Sequence, residues 1–217
     1  MPAASDDAVA IGVQERAALE AGARSMSSEK AQRIVEAMRR SVARRGTAGS
    51  TFDHVSREAG VSRGLLHYYF GTKEQLLVQA VRRECDLRME LLERQLAHAQ
   101  SADDFIQRMA QNLQDTVRDD PDFVTLLFEL FTLARRNGDI AVEYAELMRG
   151  TREHVAAMLA TGQRDGILNL HADPQVVAEI LFSLADGLAL RMLAEPERAF
   201  AATLDAGIAC VRALLTD

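Results

Sequence analysis

Apolar residues recur along this chain at intervals of three and four, the spacing of one face of an α-helix, and no long stretch alternates with period two. The first pattern runs from Ser28 to Arg45, with Ile34, Met38 and Val42 four apart, and Gly46 ends it. Phe52, Val55 and Ala59 mark a short second helix capped by Ser50 or Thr51, and Gly60 breaks it. Ser62 then caps a third, with Leu65, Leu66, Tyr69 and Phe70 as its apolar positions. After Gly71, Thr72 opens a long fourth helix reaching about His98 and carrying Leu76, Leu77, Ala80, Val81, Leu87, Leu91 and Leu92.

Five more helices follow. They start at Asp103 or Asp104, at Pro121, near Asp139, at Pro174 and around Pro196, since proline suits a helix's first turn. Gly162 and Gly166 are expected to loosen the end of the third of these. The pattern therefore predicts an all-α fold of about nine helices with no sheet. Residues 1–27 hold few large apolar groups and read as a frayed arm with a partial helix between Gln14 and Arg24.

With 217 residues, 48% of them hydrophobic, the chain can bury a real core in one or two domains. Charge interrupts every apolar run, so neither a spanning segment nor a secretory leader is expected, and a soluble intracellular protein is the default. The net charge of −7 would argue against a nucleic-acid partner if it were spread evenly, but it is not. Arg24 to Arg83 carries twelve Lys/Arg against five Asp/Glu, whereas Glu84 onward carries twelve against twenty-three. A basic module of about sixty residues can thus approach a phosphate backbone while an acidic remainder faces elsewhere. Charge alone leaves open that these residues only decorate solvated helices.

The segment TFDHVSREAGVSRGLLHYYF, Thr51 to Phe70, has the form of a helix-turn-helix: a short helix, a glycine at the turn, Val61 to plug it, and a serine capping the second helix. Packing through Val55, Ala59, Val61, Leu66 and Phe70 leaves Arg63, Gly64, His67 and Tyr68 toward solvent or DNA. The run RIVEAMRRSVARRG before it and GTKEQLL after it, with the motif between, resembles the N-terminal signature of the TetR family of transcriptional regulators over about Ser28 to Val81. Thr47 stands where the family usually has an aromatic, Leu65 where a small or hydroxylated residue is usual, and His67 where tyrosine is usual, so no operator sequence carries over.

The resemblance implies three parts: an arm over 1–27, a helix-turn-helix DNA-binding domain over 28–72, and a helical effector-binding and dimerisation domain over 73–217. It also implies phosphate contacts by Thr51, Tyr69 and Lys73, near helix N-termini that favour anions. Arg63 and His67 are candidates for base contacts, Gly64 for close approach, Leu65 for a thymine methyl, and Tyr68 for either class, with Ser62 starting the recognition helix 62–70. Leu65 packed inward and Tyr69 as ordinary core remain open. Two turns of helix supply little energy, so a homodimer on a pseudo-palindrome is expected. Its joint would be a four-helix bundle using Val177, Leu181, Leu184 and Leu188 of helix 174–194 and Phe200, Leu204, Ile208, Val211 and Leu215 of helix 197–215.

Family members typically enclose a small-molecule pocket in the C-terminal domain. Here the candidate walls are Phe105, Met109, Phe123, Leu127, Phe131, Tyr144, Met148 and Phe182, which suit a largely apolar effector; each could equally be plain core. Glu129, inside FVTLLFELF, pairs with a neighbouring arginine or awaits a cationic effector, and Asp186 poses the same question. Repression is expected because most family members are repressors. The alternatives are an activator or a helical interaction protein that has lost DNA binding, for which His67 is the feature. Five scattered histidines, with no HExxH, GxSxG or phosphate-loop spacing, argue against an enzyme. Cys85 and Cys210 form no metal-ligand pattern, and neither cofactor nor metal is expected.

Overall fold

The computed structural model describes residues 28–216. The arm predicted over 1–27 lies outside the described residues. Among those described, the chain forms nine α-helices and no strand: α1 (Ser28–Gly49), α2 (Phe52–Ala59), α3 (Arg63–Phe70), α4 (Lys73–Leu96), α5 (Ala102–Asp119), α6 (Pro121–Ala134), α7 (Gly138–Arg164), α8 (Pro174–Ala194) and α9 (Ala201–Leu215). The first three form a helical bundle joined by α4 to a C-terminal helical domain. Two compact units divide between Ala80 and Val81, so the first two turns of α4 belong with the head.

The head is built as the spacing predicts. Ile34, Met38 and Val42 of α1, Val55 of α2 and Leu66 of α3 are buried, as are Leu76 and Leu77 of α4. Gly46 breaks α1 with a backbone (φ 65°, ψ 172°) that no β-carbon tolerates easily, which is why the pattern stops there even though one more turn follows. Ser50 is fully buried; its hydroxyl donates to the Gly46 carbonyl at 3.0 Å and receives the Ser41 hydroxyl, also at 3.0 Å. That chain of hydroxyls fastens the end of α1 to the entry of α2 and satisfies groups that burial would otherwise leave unpaired. Arg40 of α1 reaches Glu58 of α2 at 2.5 Å.

In the C-terminal unit α6 packs on α7, α7 on α8, and α5 on α9. Its larger core gathers Leu92, Leu96, Phe105, Ile106, Val155, Leu159, Val177, Leu181 and Leu215. Pro121 and Pro174 open α6 and α8, behind Asp120 and Asp173, whose carboxylates cap them. Pro196 does not open α9. The chain instead turns at 195–198, where Arg198 pairs with Glu195 and its guanidinium lies over the Phe200 ring. Phe200 is buried and α9 starts only at Ala201, so the helix predicted from Glu197 is four residues too long. Gly162 does not loosen α7 either. It sits buried inside the helix, where a β-carbon would fall 2.9 Å from Leu168 Cδ1, so its lack of a side chain makes room for the loop that follows. No described helix is long and apolar enough to cross a membrane.

The expected subunit joint needs correction. Val177, Leu181, Phe200 and Leu215 are buried within the single chain and belong to its own core, so they offer nothing to a second subunit. Leu184, Leu188, Leu204, Ile208 and Val211 are only partly exposed and line a narrow groove between α5, α8 and α9. The open apolar face of α8 lies one residue over, at Val176, Ile180, Gly187 and Leu190, spaced four, seven and three along the helix.

Candidate functional site

The turn between α2 and α3 is set by local chemistry. Thr51 caps α2 by accepting the His54 N–H at 3.3 Å, and Gly60 ends that helix in the left-handed region (φ 67°, ψ 37°). The Val61 N–H returns to the Ser56 carbonyl, and Ser62 caps α3 by accepting the Leu65 N–H at 3.2 Å. With Leu66 and Phe70 buried, α3 has one orientation: Arg63, Gly64, His67 and Tyr68 lie exposed, Tyr68 at 78%. Leu65 and Tyr69 are partly buried, so each can share packing and contact. The surroundings of Gly64 are open, so nothing of the chain itself obstructs approach there.

The exposed side chains are tied to one another. Arg63 Nη1 reaches Asp53 Oδ1 at 3.3 Å, and its Nε points to His67 Nε2 at 3.4 Å. His67 Nδ1 faces the Gly71 carbonyl at 3.3 Å, and the imidazole meets Phe52 edge-on with centroids 4.7 Å apart. A ring that donates from Nδ1 to that carbonyl keeps Nε2 as the acceptor for Arg63. His67 thus helps to hold the guanidinium beside Asp53. Lys73 is half engaged, because its ammonium donates to the Thr47 carbonyl at 2.9 Å. The pairings of Arg63 with Asp53 and of Lys73 with Thr47 were not foreseen from sequence, since contacts 10 and 26 residues apart leave no periodic signal.

The C-terminal unit encloses a cavity of about 220 Å³ among α4, α5, α6, α7 and α8. Met109, Phe123, Leu127, Tyr144, Met148 and Phe182 line it, as their residue types predict. Three predicted walls do not. Phe105 is packed in the core at 3% exposure, because α5 turns it toward α7 and Gly162. Phe131 lies outside, 46% exposed, beside the Tyr144 ring. Glu129 is partly buried, engaged within the protein, and not on the cavity wall.

The polar groups on that wall were not all foreseen. Arg88 of α4 reaches the carboxylate of Asp120 and, at 3.3 Å, Thr116 Oγ1, and its guanidinium lies 4.0 Å over the Phe123 ring. Asp186 of α8 also lines the cavity and has no ion pair or hydrogen bond among the described residues. Its residue surface is open in the single chain, yet the protein around the carboxyl pushes its pKa up by desolvation. Tyr144 is pushed up too, first by burial and then by the charge of Asp186.

Burial also pushes the Cys85 thiol on this wall up to about 12. At pH 8 only about one molecule in 10⁴ then carries the reactive thiolate. Cys85 is expected to resist iodoacetamide at that pH in folded protein and to react in denaturant, as mapped by peptide mass spectrometry. Alkylation of Cys85 in the folded protein would show that the cavity is wetter than the packing implies.

A basic head with a helix-turn-helix, carried on a helix that continues into a cavity-bearing body, is the plan of a DNA-binding regulator rather than an enzyme. Residues 34–80 match the family described as bacterial regulatory proteins, tetR family, and residues 102–216 match the BetI-type transcriptional repressor C-terminal family. The chain belongs to the TetR family of transcriptional regulators. It is 26% identical over 175 residues to the HTH-type transcriptional regulator PksA of Bacillus subtilis, covering 78% of this chain and 82% of that protein. To the regulator BetI of Rhizobium meliloti it is 28% identical over 172 residues, 76% of this chain and 79% of the other. A transcriptional regulator from Saccharomonospora viridis, solved in complex with choline, shares the fold at a TM-score of 0.69 with 23% identity, over 88% of this chain and all of that one.

Proposed function

We propose that the protein is a ligand-responsive transcriptional repressor that binds a pseudo-palindromic operator as a homodimer through α3 and is released when a small molecule fills the cavity. The orientation of α3 carries this reading: burial of Leu66 and Phe70 turns Arg63, Gly64, His67 and Tyr68 outward as one polar face on a basic head. Arg63 and His67 read bases, Gly64 and Leu65 permit close approach, and Thr51, Tyr69 and Lys73 hold phosphates, with Tyr68 free for either. The choline complex of the S. viridis protein and the repressor family matched by residues 102–216 support a small-molecule effector and repression. An intracellular protein acting on the chromosome follows from this reading.

The test is selection of duplexes from a random DNA pool by the purified protein, with the Arg63→Ala, Lys73→Ala double variant as control. Wild type should enrich a pseudo-palindrome and the variant should not. A folded, dimeric sample that enriches nothing at low salt sinks the reading and favours the interaction-protein alternative, because phosphate contacts must release counterions.

The dimer is assigned to the open apolar stripe of α8, Val176, Ile180, Gly187 and Leu190, with the small-residue face of α9 at Ala202, Ala206, Ala209 and Ala213. Alanine and glycine let two such helix pairs approach closely in a four-helix bundle. Ile180→Glu places a charge on that stripe while sparing the chain's own core, and is expected to yield a folded monomer in analytical ultracentrifugation with operator affinity lost. A dimer that survives this change would move the joint elsewhere. An effector acts on this assembly only through preference for the released state, and a tenfold preference shifts the balance by about 1.4 kcal/mol.

A further inference from the structure

We infer that Asp53 is a specificity-determining residue: its carboxylate keeps the Arg63 guanidinium from serving as a phosphate clamp and reserves it for a neutral base edge. This rests on the reading of α3 as the recognition helix and deepens it. Arg63 is the first residue of α3. A helix N-terminus attracts anions, and a guanidinium placed there adds a second attraction of the same sign. The first turn of α3 holds no acidic residue to offset either. Left alone, this tip of the recognition helix would take a phosphate in any register, and a phosphate contact carries no sequence information.

The offsetting charge comes from α2. Asp53 stands in the first turn of that helix, and its Oδ1 accepts from Arg63 Nη1 at 3.3 Å. Among the described residues no second cation pairs with this carboxylate. Arg57, one turn further along α2, donates its Nε to the Asp53 carbonyl instead, at 3.1 Å. The side chains of Arg63 and Asp53 are 61% and 58% exposed, so the pair does not serve the core of the head. It meets DNA as a unit with no net charge, on the face that α3 turns outward.

The geometry leaves this unit able to read a base. A guanidinium has five N–H groups. Nε faces His67 and one N–H of Nη1 faces Asp53, which leaves one N–H on Nη1 and both on Nη2. That end-on edge can bond the two acceptors of guanine without releasing Asp53. Guanine is neutral and meets no charge repulsion from the carboxylate. A phosphate at the same edge brings its negative charge close to that of Asp53 and is opposed by it. Discrimination then comes from a repulsive element set against the wrong partner as well as from an attractive one for the right partner.

The experiment uses the full chain and follows binding to a selected operator duplex and to a random-sequence duplex by fluorescence anisotropy over a salt series. It compares wild type, Asp53→Asn, Asp53→Glu, Arg63→Ala and the Asp53→Asn, Arg63→Ala double variant. An exposed ion pair is weak, so Asp53→Asn is expected to tighten binding to random DNA by about threefold per head and about tenfold in the dimer. Its salt slope on random DNA should steepen by about two, one phosphate per head. On the operator a freed Arg63 is less well placed for guanine, so the gain should stay below about threefold and the ratio of operator to random affinity should fall. Asp53→Glu keeps the charge and should keep most of that ratio. The double variant should lose both the gain on random DNA and the steeper slope, whereas simple removal of a negative charge near DNA would leave the gain in place. A gain that survives Arg63→Ala, an equal gain on both duplexes, or no gain on random DNA overturns the inference. So does an Asp53→Asn head that melts lower and binds both duplexes more weakly, since Asp53 would then be a structural residue. If wild type prefers its operator and Asp53→Asn prefers it as strongly, only the role of Asp53 is wrong. If wild type binds the operator no better than random DNA, the reading of α3 falls, and the inference with it.

Discussion

Leu66→Ala should melt the DNA-binding head while leaving the C-terminal unit folded. Leu66 is completely enclosed, and it is the residue that turns α3 against the rest of the head. Truncating such a leucine costs about 2–5 kcal/mol, as lost transfer energy plus an unfilled cavity. The head is a small core closed by helices of eight residues, and cores of that size seldom hold more than about 5 kcal/mol in all. The two units have separate cores, so calorimetry is expected to show the lower-melting transition fall by more than about 10 °C while the higher one stays. Arg63→Ala, on the exposed side of the same helix, should move neither transition measurably. A single unshifted transition in Leu66→Ala would mean that the head borrows its stability from outside its own core.

The head was legible because its helices are amphipathic and punctuated. Gly46, Gly60 and Ser62 each stand where the backbone has to leave or enter a helix, and each does so by its own chemistry. The last two helices and α6 were harder for the opposite reason. FVTLLFELF is apolar on every face, so periodicity could not tell that Leu127 faces the cavity and Phe131 faces out. Along α8 the same ambiguity shifted the open stripe by one residue, from Val177 and Leu181 to Val176 and Ile180. Glu129 and Asp186 both attracted notice because each interrupts an apolar run, and the packing of α8 puts Asp186, not Glu129, on the cavity wall. Arg88 and Asp120 meet across 32 residues, a distance at which sequence pattern carries no information.

Arg63→Ala and Lys73→Ala should separate the two kinds of DNA contact, and the separation is where the proposed interface is most exposed to test. Arg63 is pre-set: Asp53 and His67 hold its guanidinium on the outward face of α3, and the ion pair is too exposed to resist a guanine that offers two acceptors. Losing one such base contact costs about 1–3 kcal/mol, and a twofold dimer loses it twice, so operator affinity should fall by about 30-fold or more. The loss should be specific, with preference relaxed at one base pair in each half-site and binding to random DNA little changed. Lys73 should behave in the opposite way. Its removal should weaken binding to every sequence and lower the slope of log affinity against log salt by about two in the dimer, one per half-site. Because the Lys73 ammonium also holds the Thr47 carbonyl, the melting of the head must be followed alongside, and Lys73→Arg, which keeps the charge, should restore most of the salt slope. If Arg63→Ala instead weakens all sequences alike and leaves the base preferences intact, the residue is a phosphate clamp and the bases are read elsewhere on α3, with His67 and Tyr68 the remaining exposed side chains able to do it.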